Sequence, residues 1–229
     1  MGKDNTLADE TSSSGSTGSD ESAGATGGYQ GESGASGGEG APLGSTGGAG
    51  SGATGGANVP VTVLGTYGYY GAGAVIGNQW YNPGTSAVNG CWFLVLNLTN
   101  LQVAANVFSK SNNQVPPQVQ QYAGNPQYLL ILVFVALRND NLPTGALYSF
   151  LQSTGSGPKL ARAEQIGAQL GTGYIGGSSY ILAATMTTGD NPGFEELSST
   201  SITIMTFQLM PVNVGGLIIY VPVSTGAGT

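Results

Sequence analysis

The sequence predicts an α+β, β-rich fold: an antiparallel β-sandwich-like domain with two or three short flanking helices, behind a disordered Gly/Ser-rich N-terminal tail. Three observations carry this reading. Tyr128 to Leu137 (YLLILVFVAL) is uncharged and lacks glycine, so as a strand it is buried on both faces and belongs mid-sheet. Further short runs rich in β-branched and aromatic residues are bounded by Gly, Asn and Pro, the pattern of an all-antiparallel strand set. Composition also changes near residue 58, dividing the chain into a tail (1–58) and a globular β-rich domain (59–229).

The tail holds 18 of the 40 glycines. Its only sizeable apolar side chains are Leu7, Tyr29 and Leu43, apart from Met1. Such a segment buries too little surface to offset its ordering entropy. Glycine recurs every third residue from Gly28 to Gly40, the period of a triple helix. With Pro42 the sole proline and the register broken at Leu43, a flexible linker is the simpler reading. The opening Met1-Gly2-Lys3-Asp4-Asn5-Thr6 fits the loose myristoylation pattern, which is common by chance. No charged n-region followed by an apolar stretch marks a signal peptide.

The elements of the domain follow in order. VPVTVLGTY from Val59 reads as a first strand. Gly65 to Gly90 interleaves glycine with Tyr67, Tyr69, Tyr70, Trp80 and Tyr81, aromatics that stack on sugar rings, line a protein interface, or equally cover one end of a barrel or sandwich. Cys91 to Asn100 reads as a strand, with Gln102 to Lys110 returning from it in a hairpin. Asn97-Leu98-Thr99 spells a glycosylation sequon inside that strand, and is expected to be unmodified for that reason. Val115 to Ala123 forms a short helix. After Leu137, a helix opens at Leu142-Pro143 with Asn141 near its cap, and Ala146, Leu147, Phe150 and Leu151 form its apolar face. A further helix spans Lys159 to Leu170, with Leu160, Ala163, Ile166 and Leu170 inward and Arg162 and Glu164 outward. Ser179 to Thr187 is a second inner strand. Ser201 to Val212 and Leu217 to Val223 close the domain as a hairpin.

Charge limits the chemistry. Charged residues make up 7% of the chain, against about 25% in typical domains. The tail carries seven acids and Lys3; the domain has five acids and four bases. Nothing here provides the basic face that nucleic acid requires. There is no histidine, which removes the ordinary general base and the Ser-His and Cys-His nucleophiles. Cys91 is the single cysteine, read as a small buried hydrophobe. The domain's acids are Asp140, Glu164, Asp190, Glu195 and Glu196. The last two are adjacent, so on a strand they point to opposite faces and form no hydrolytic pair. Gly171-Thr172-Gly173-Tyr174-Ile175-Gly176 spells G-x-G-x-x-G, but it follows a helix and precedes a strand, the wrong context for a dinucleotide. The reading is therefore non-catalytic, with no cofactor and no metal site. Nor is any apolar run long enough to span a membrane.

The order of features from Tyr128 to Glu196 resembles the domain of the interleukin-like EMT inducer and pancreatic-derived factor (PANDER) family. An inner strand ends in Arg138-Asn139-Asp140. Two helices follow, the second closing in Leu170-Gly171-Thr172-Gly173. Then come Ser179-Tyr180-Ile181-Leu182-Ala183-Ala184 and the turn Gly189-Asp190-Asn191-Pro192-Gly193-Phe194-Glu195. Cys91 to Asn100 is similar to the opening strand of that domain. The resemblance covers roughly residues 90–196. It implies two antiparallel sheets flanked by short helices, and a place among secreted signals and sugar-binding stem domains. Asp140 would then be a ligand-facing position. Gly176, Gly177 and Ser178 stand where that family carries an arginine, and its paired cysteines are absent.

Two functional expectations result. The first is a lectin-like recognition module at an extracellular or virion surface. It would bind a glycan or a surface protein through Asp140, Trp80, Tyr81, Tyr69 and Tyr70. The second is a structural subunit of a virion or extracellular filament, self-associating or built into a larger assembly, with its tail ordered against neighbours.

Overall fold

The computed structural model describes residues 56–66, 71–84, 89–170, 178–188, 193–198 and 202–225. The expected tail up to residue 55, Tyr67, Tyr69, Tyr70, the G-x-G-x-x-G stretch and Asp190 lie outside the described residues.

Among the described residues, ten strands form two five-stranded antiparallel sheets. The inner sheet contains β4 (Gly90–Asn97), β5 (Val103–Ser109), β6 (Tyr128–Leu137), β7 (Ser178–Thr185) and β8 (Phe194–Ser198), in the order β5-β4-β6-β7-β8. The outer sheet contains β1 (Val59–Thr66), β2 (Ala72–Ile76), β3 (Gln79–Tyr81), β9 (Ile202–Val214) and β10 (Leu217–Ser224), in the order β10-β9-β1-β2-β3. The expected class holds: two antiparallel sheets with three short helices, α1 (Pro117–Gln120), α2 (Gly145–Ser153) and α3 (Pro158–Leu170).

The run at Tyr128 to Leu137 becomes β6, hydrogen-bonded to β4 on one side and β7 on the other. Its side chains alternate between two cores. Leu129, Ile131 and Val133 meet Val61, Val63, Met205 and Phe207 of the outer sheet. Leu130, Leu132 and Phe134 meet Val119 of α1, Leu147 and Leu151 of α2, and Leu160 of α3. The inner sheet is thus covered twice, by a sheet and by helices, as a strand apolar on both faces demands. Near its end the alternation slips. Ala136 takes a left-handed φ of 56°, and the β6–β7 register shifts between Phe134 and Leu137. This is a bulge. It turns Val135 and Ala136 both toward the sandwich and keeps Leu137 on the helix side.

Gly65 sets the distance between the sheets locally. A Cβ there would stand 3.0 Å from Val133 Cγ1 and 3.4 Å from Ile181 Cγ1, so any side chain on β1 at this point would push those neighbours back by a few tenths of an ångström. Beside it, Ser179 Oγ bonds Thr203 Oγ1, a buried polar link between β7 and β9. Phe194 of β8 and Phe207 of β9 add a ring contact across the sheets, with centroids 5.6 Å apart.

Several local expectations need correction. The helix expected from Leu142-Pro143 begins at Gly145, with Thr144 as its N-cap. Asn141 instead faces backward: its Oδ1 accepts from Arg138 N and its Nδ2 donates to Ala136 O, closing the bulge rather than capping α2. Ala146 is exposed, whereas Leu147, Phe150 and Leu151 are buried. Glu164 is half-buried rather than turned out, and accepts from Tyr148 Oη at 3.4 Å. The strand expected to reach Asn100 stops at Asn97, whose Oδ1 accepts from both Thr99 N and Thr99 Oγ1. The sequon therefore begins at the last residue of the strand and runs into the turn. Short strands β2, β3 and β8 lie where the sequence was read as glycine-aromatic loop or turn.

Leu132→Ala, at the fully buried centre of β6, is expected to lower stability by about 2–5 kcal/mol. Ile204→Ala, on the open side of β9, should cost under about 0.5 kcal/mol. Urea melts of both variants with an unchanged slope check this contrast.

Candidate functional site: the open face of the outer sheet

The outer sheet has one covered face and one open face, and its residues divide accordingly. Along β9, Thr203, Met205, Phe207 and Leu209 are buried, while Ile202, Ile204, Thr206 and Met210 are exposed. Period-two alternation with polar residues outward is ordinary for a half-buried sheet. Here the outward set is mixed: Thr62 and Thr206 stand among large apolar side chains. The large apolar side chains most open to solvent among the described residues are Trp80, Ile202, Ile204, Met210, Val214, Leu217 and Val221, and all belong to the outer sheet.

The five strands of this sheet contain no Asp, Glu, Lys or Arg. The described charged residues are Lys110, Arg138, Asp140, Lys159, Arg162, Glu164, Glu195 and Glu196. Each lies on the strands, helices or connections of the inner sheet. A concentration of exposed apolar surface on one uncharged face marks a place of contact.

Trp80 stands at one edge of that face. It pairs with Val75 of β2, and its six-membered ring lies over Gly73: a Cβ on Gly73 would fall 2.1 Å from Trp80 Cη2. The glycine gives the indole a flat seat, and 52% of the residue stays open. Tyr81, the next residue, points the other way and is half-buried against the core between the sheets. Asp140 belongs to a different layer. It sits in the 3-10 turn Asn139–Asn141 after β6, where Arg138 Nε and Nη2 grip both its oxygens at 2.9 and 2.6 Å. The hydrogen bonds from Arg138 hold its carboxyl below the usual range. Trp80 and Asp140 are therefore not assembled into one site.

Sequence reasoning missed one polar cluster. Glu195 Oε1 accepts from Gly157 N at 2.8 Å and from Tyr180 Oη at 2.5 Å, and Oε2 accepts from Lys159 N at 3.1 Å. Pro158 opens α3 without an N–H to offer, so this carboxylate takes the amides on either side of it. Glu196, the next residue, is reached by Lys159 Nζ at 2.7 Å. Glu195 is thus committed to fastening α3 onto the inner sheet. Burial, reinforced by the Glu195 charge, pushes the Tyr180 hydroxyl far above its ordinary pKa. The signal was present in Gly-Pro before a helix and a Glu pair on a strand, but 38 residues separate Gly157 from Glu195. Cys91 is buried, and burial raises its thiol pKa, which matches a packing role. Among the described residues no three His, Cys, Asp or Glu side chains group to hold a metal, and no helix is long and apolar enough to cross a membrane.

Glu195→Ala strands two amides and a buried phenol, and is expected to cost about 2–4 kcal/mol, with α3 amides exchanging first in hydrogen-exchange experiments. In alkali, the unfolded chain releases the Tyr180 proton above about pH 10 while the folded one keeps it. Stability then falls by up to about 1.4 kcal/mol per pH unit, and Tyr180→Phe should flatten that limb of the denaturation curve.

Comparison with protein-family models and with curated proteins finds no match to this chain.

Proposed function

We propose that this chain is a non-catalytic binding module that builds into a larger assembly at an extracellular or virion surface, through the open face of its outer sheet. The observation that carries the reading is the segregation of the surface. Exposed apolar side chains gather on one charge-free sheet, while the charges lie with the inner sheet and helices. Supporting it are the absence of histidine and the engagement of Glu195 in holding α3.

A second reading, glycan recognition, is favoured by Trp80 alone. An indole seated on glycine with half its surface open offers the platform on which a sugar ring stacks. The resemblance of residues 90–196 to a family with sugar-binding members points the same way.

The two are separated by paired variants. Ile202→Asp/Ile204→Asp is expected to abolish incorporation of the chain into sedimenting assemblies while leaving its far-UV spectrum intact. Unchanged sedimentation would overturn the assembly reading. On a glycan array, Trp80→Ala and Gly73→Ala, which unseats the ring, should each remove any signal. A wild-type chain with no glycan signal eliminates the second reading.

A further inference from the structure

We infer that the open face of the outer sheet closes on a second copy of this chain, led by an apolar ladder on the β9–β10 hairpin. This rests on the assembly reading above and names its partner.

The ladder follows from the register. Val214 pairs with Leu217 and Met210 with Val221, so two exposed apolar cross-strand pairs stand along the open side of the hairpin; Val212 and Ile219 between them are half-buried, with Ile219 packed against the core. β1 supports β9 only from Ile202 to Leu209. Beyond Leu209 the hairpin continues without β1 beside it, held on one side by Tyr220 against Leu98 and the core, and a two-stranded ribbon gains stability from a cover on its other side. Met210, Val214, Leu217 and Val221 are nonetheless exposed.

Three observations select a copy of the same chain as the cover. First, the face is uncharged throughout. A two-fold contact lays a surface on itself, where like charges would repel; this face has none, and offers a charged partner nothing to pair with. Second, strands about 4.8 Å apart and about 3.4 Å per residue present a plane on the order of 500–700 Å², comparable with the roughly 800 Å² per partner of a stable complex. Third, growth along the β10 edge is obstructed. Tyr220 N already donates to Leu98 O at 2.8 Å, and the next amide of that outward set belongs to Pro222, which has none. Association is therefore face to face.

The test uses the full chain and two charged variants, Met210→Lys/Leu217→Lys and Met210→Glu/Leu217→Glu. Light scattering over about 1–200 µM is expected to show the wild type as a dimer or larger. Each variant alone should self-associate at least about tenfold more weakly, and their equimolar mixture should regain the dimer. Recovery on mixing also shows that both variants fold; near-UV circular dichroism checks each one separately. A wild type that self-associates, with variants that do so equally well, overturns this interface and leaves the assembly reading standing. A wild-type monomer that still co-purifies with a native particle overturns the second copy alone. A monomer absent from any particle overturns both.

Discussion

Everything in this molecule depends on a strand that water must not reach from either side. β6 carries apolar residues at every position from Leu129 to Leu137, so one covering layer is not enough. The outer sheet supplies one cover and the three helices the other. The helices in turn need fastening, which falls to Glu195 at the start of α3 and to Leu147, Phe150 and Leu151 in the core. The bulge at Ala136 is part of the same solution, because it lets the strand leave the sheet without turning Leu137 into the wrong layer.

A consequence of that layering is an uneven surface. The helix side has room for charge, since Arg138, Lys159, Glu164 and Glu196 stand at connections and edges that open to solvent. The outer sheet has a single job toward the core and is otherwise free, yet its open side carries Ile, Val, Leu, Met and Trp beside Thr62 and Thr206, with no Lys or Glu on its strands. Apolar side chains there add little to the stability of an isolated domain, because burial is what makes them favourable. Their presence is best understood through contact with something else.

The fold was legible where periodicity and length spoke together. β6, β7, the β4–β5 hairpin and the β9–β10 hairpin were all visible, since each is long, apolar and bounded by Asn, Gly or Pro. β2 and β3 were not: five and three residues among glycines give no periodic signal, and pairing with β1 is what makes them strands. β8 was hidden for a related reason, as Phe194 to Ser198 holds two acids and looks like a turn until Glu195 is seen bonded to Gly157 and Lys159. Among the site residues, Trp80 stood out as an aromatic among glycines, but its seat on Gly73 depends on strand pairing. Asp140 stood out through the resemblance, and the structure shows Arg138 bound to it.

The sequence by itself determined the chemical character of this protein: a domain without imidazole and nearly without charge, around one doubly buried strand. Those are properties of composition and of order along the chain. Which apolar residues would be left outside was decided only in three dimensions. Ile204 and Met205 are indistinguishable as neighbours in a sequence; the twist of one strand over a second sheet buries one and exposes the other.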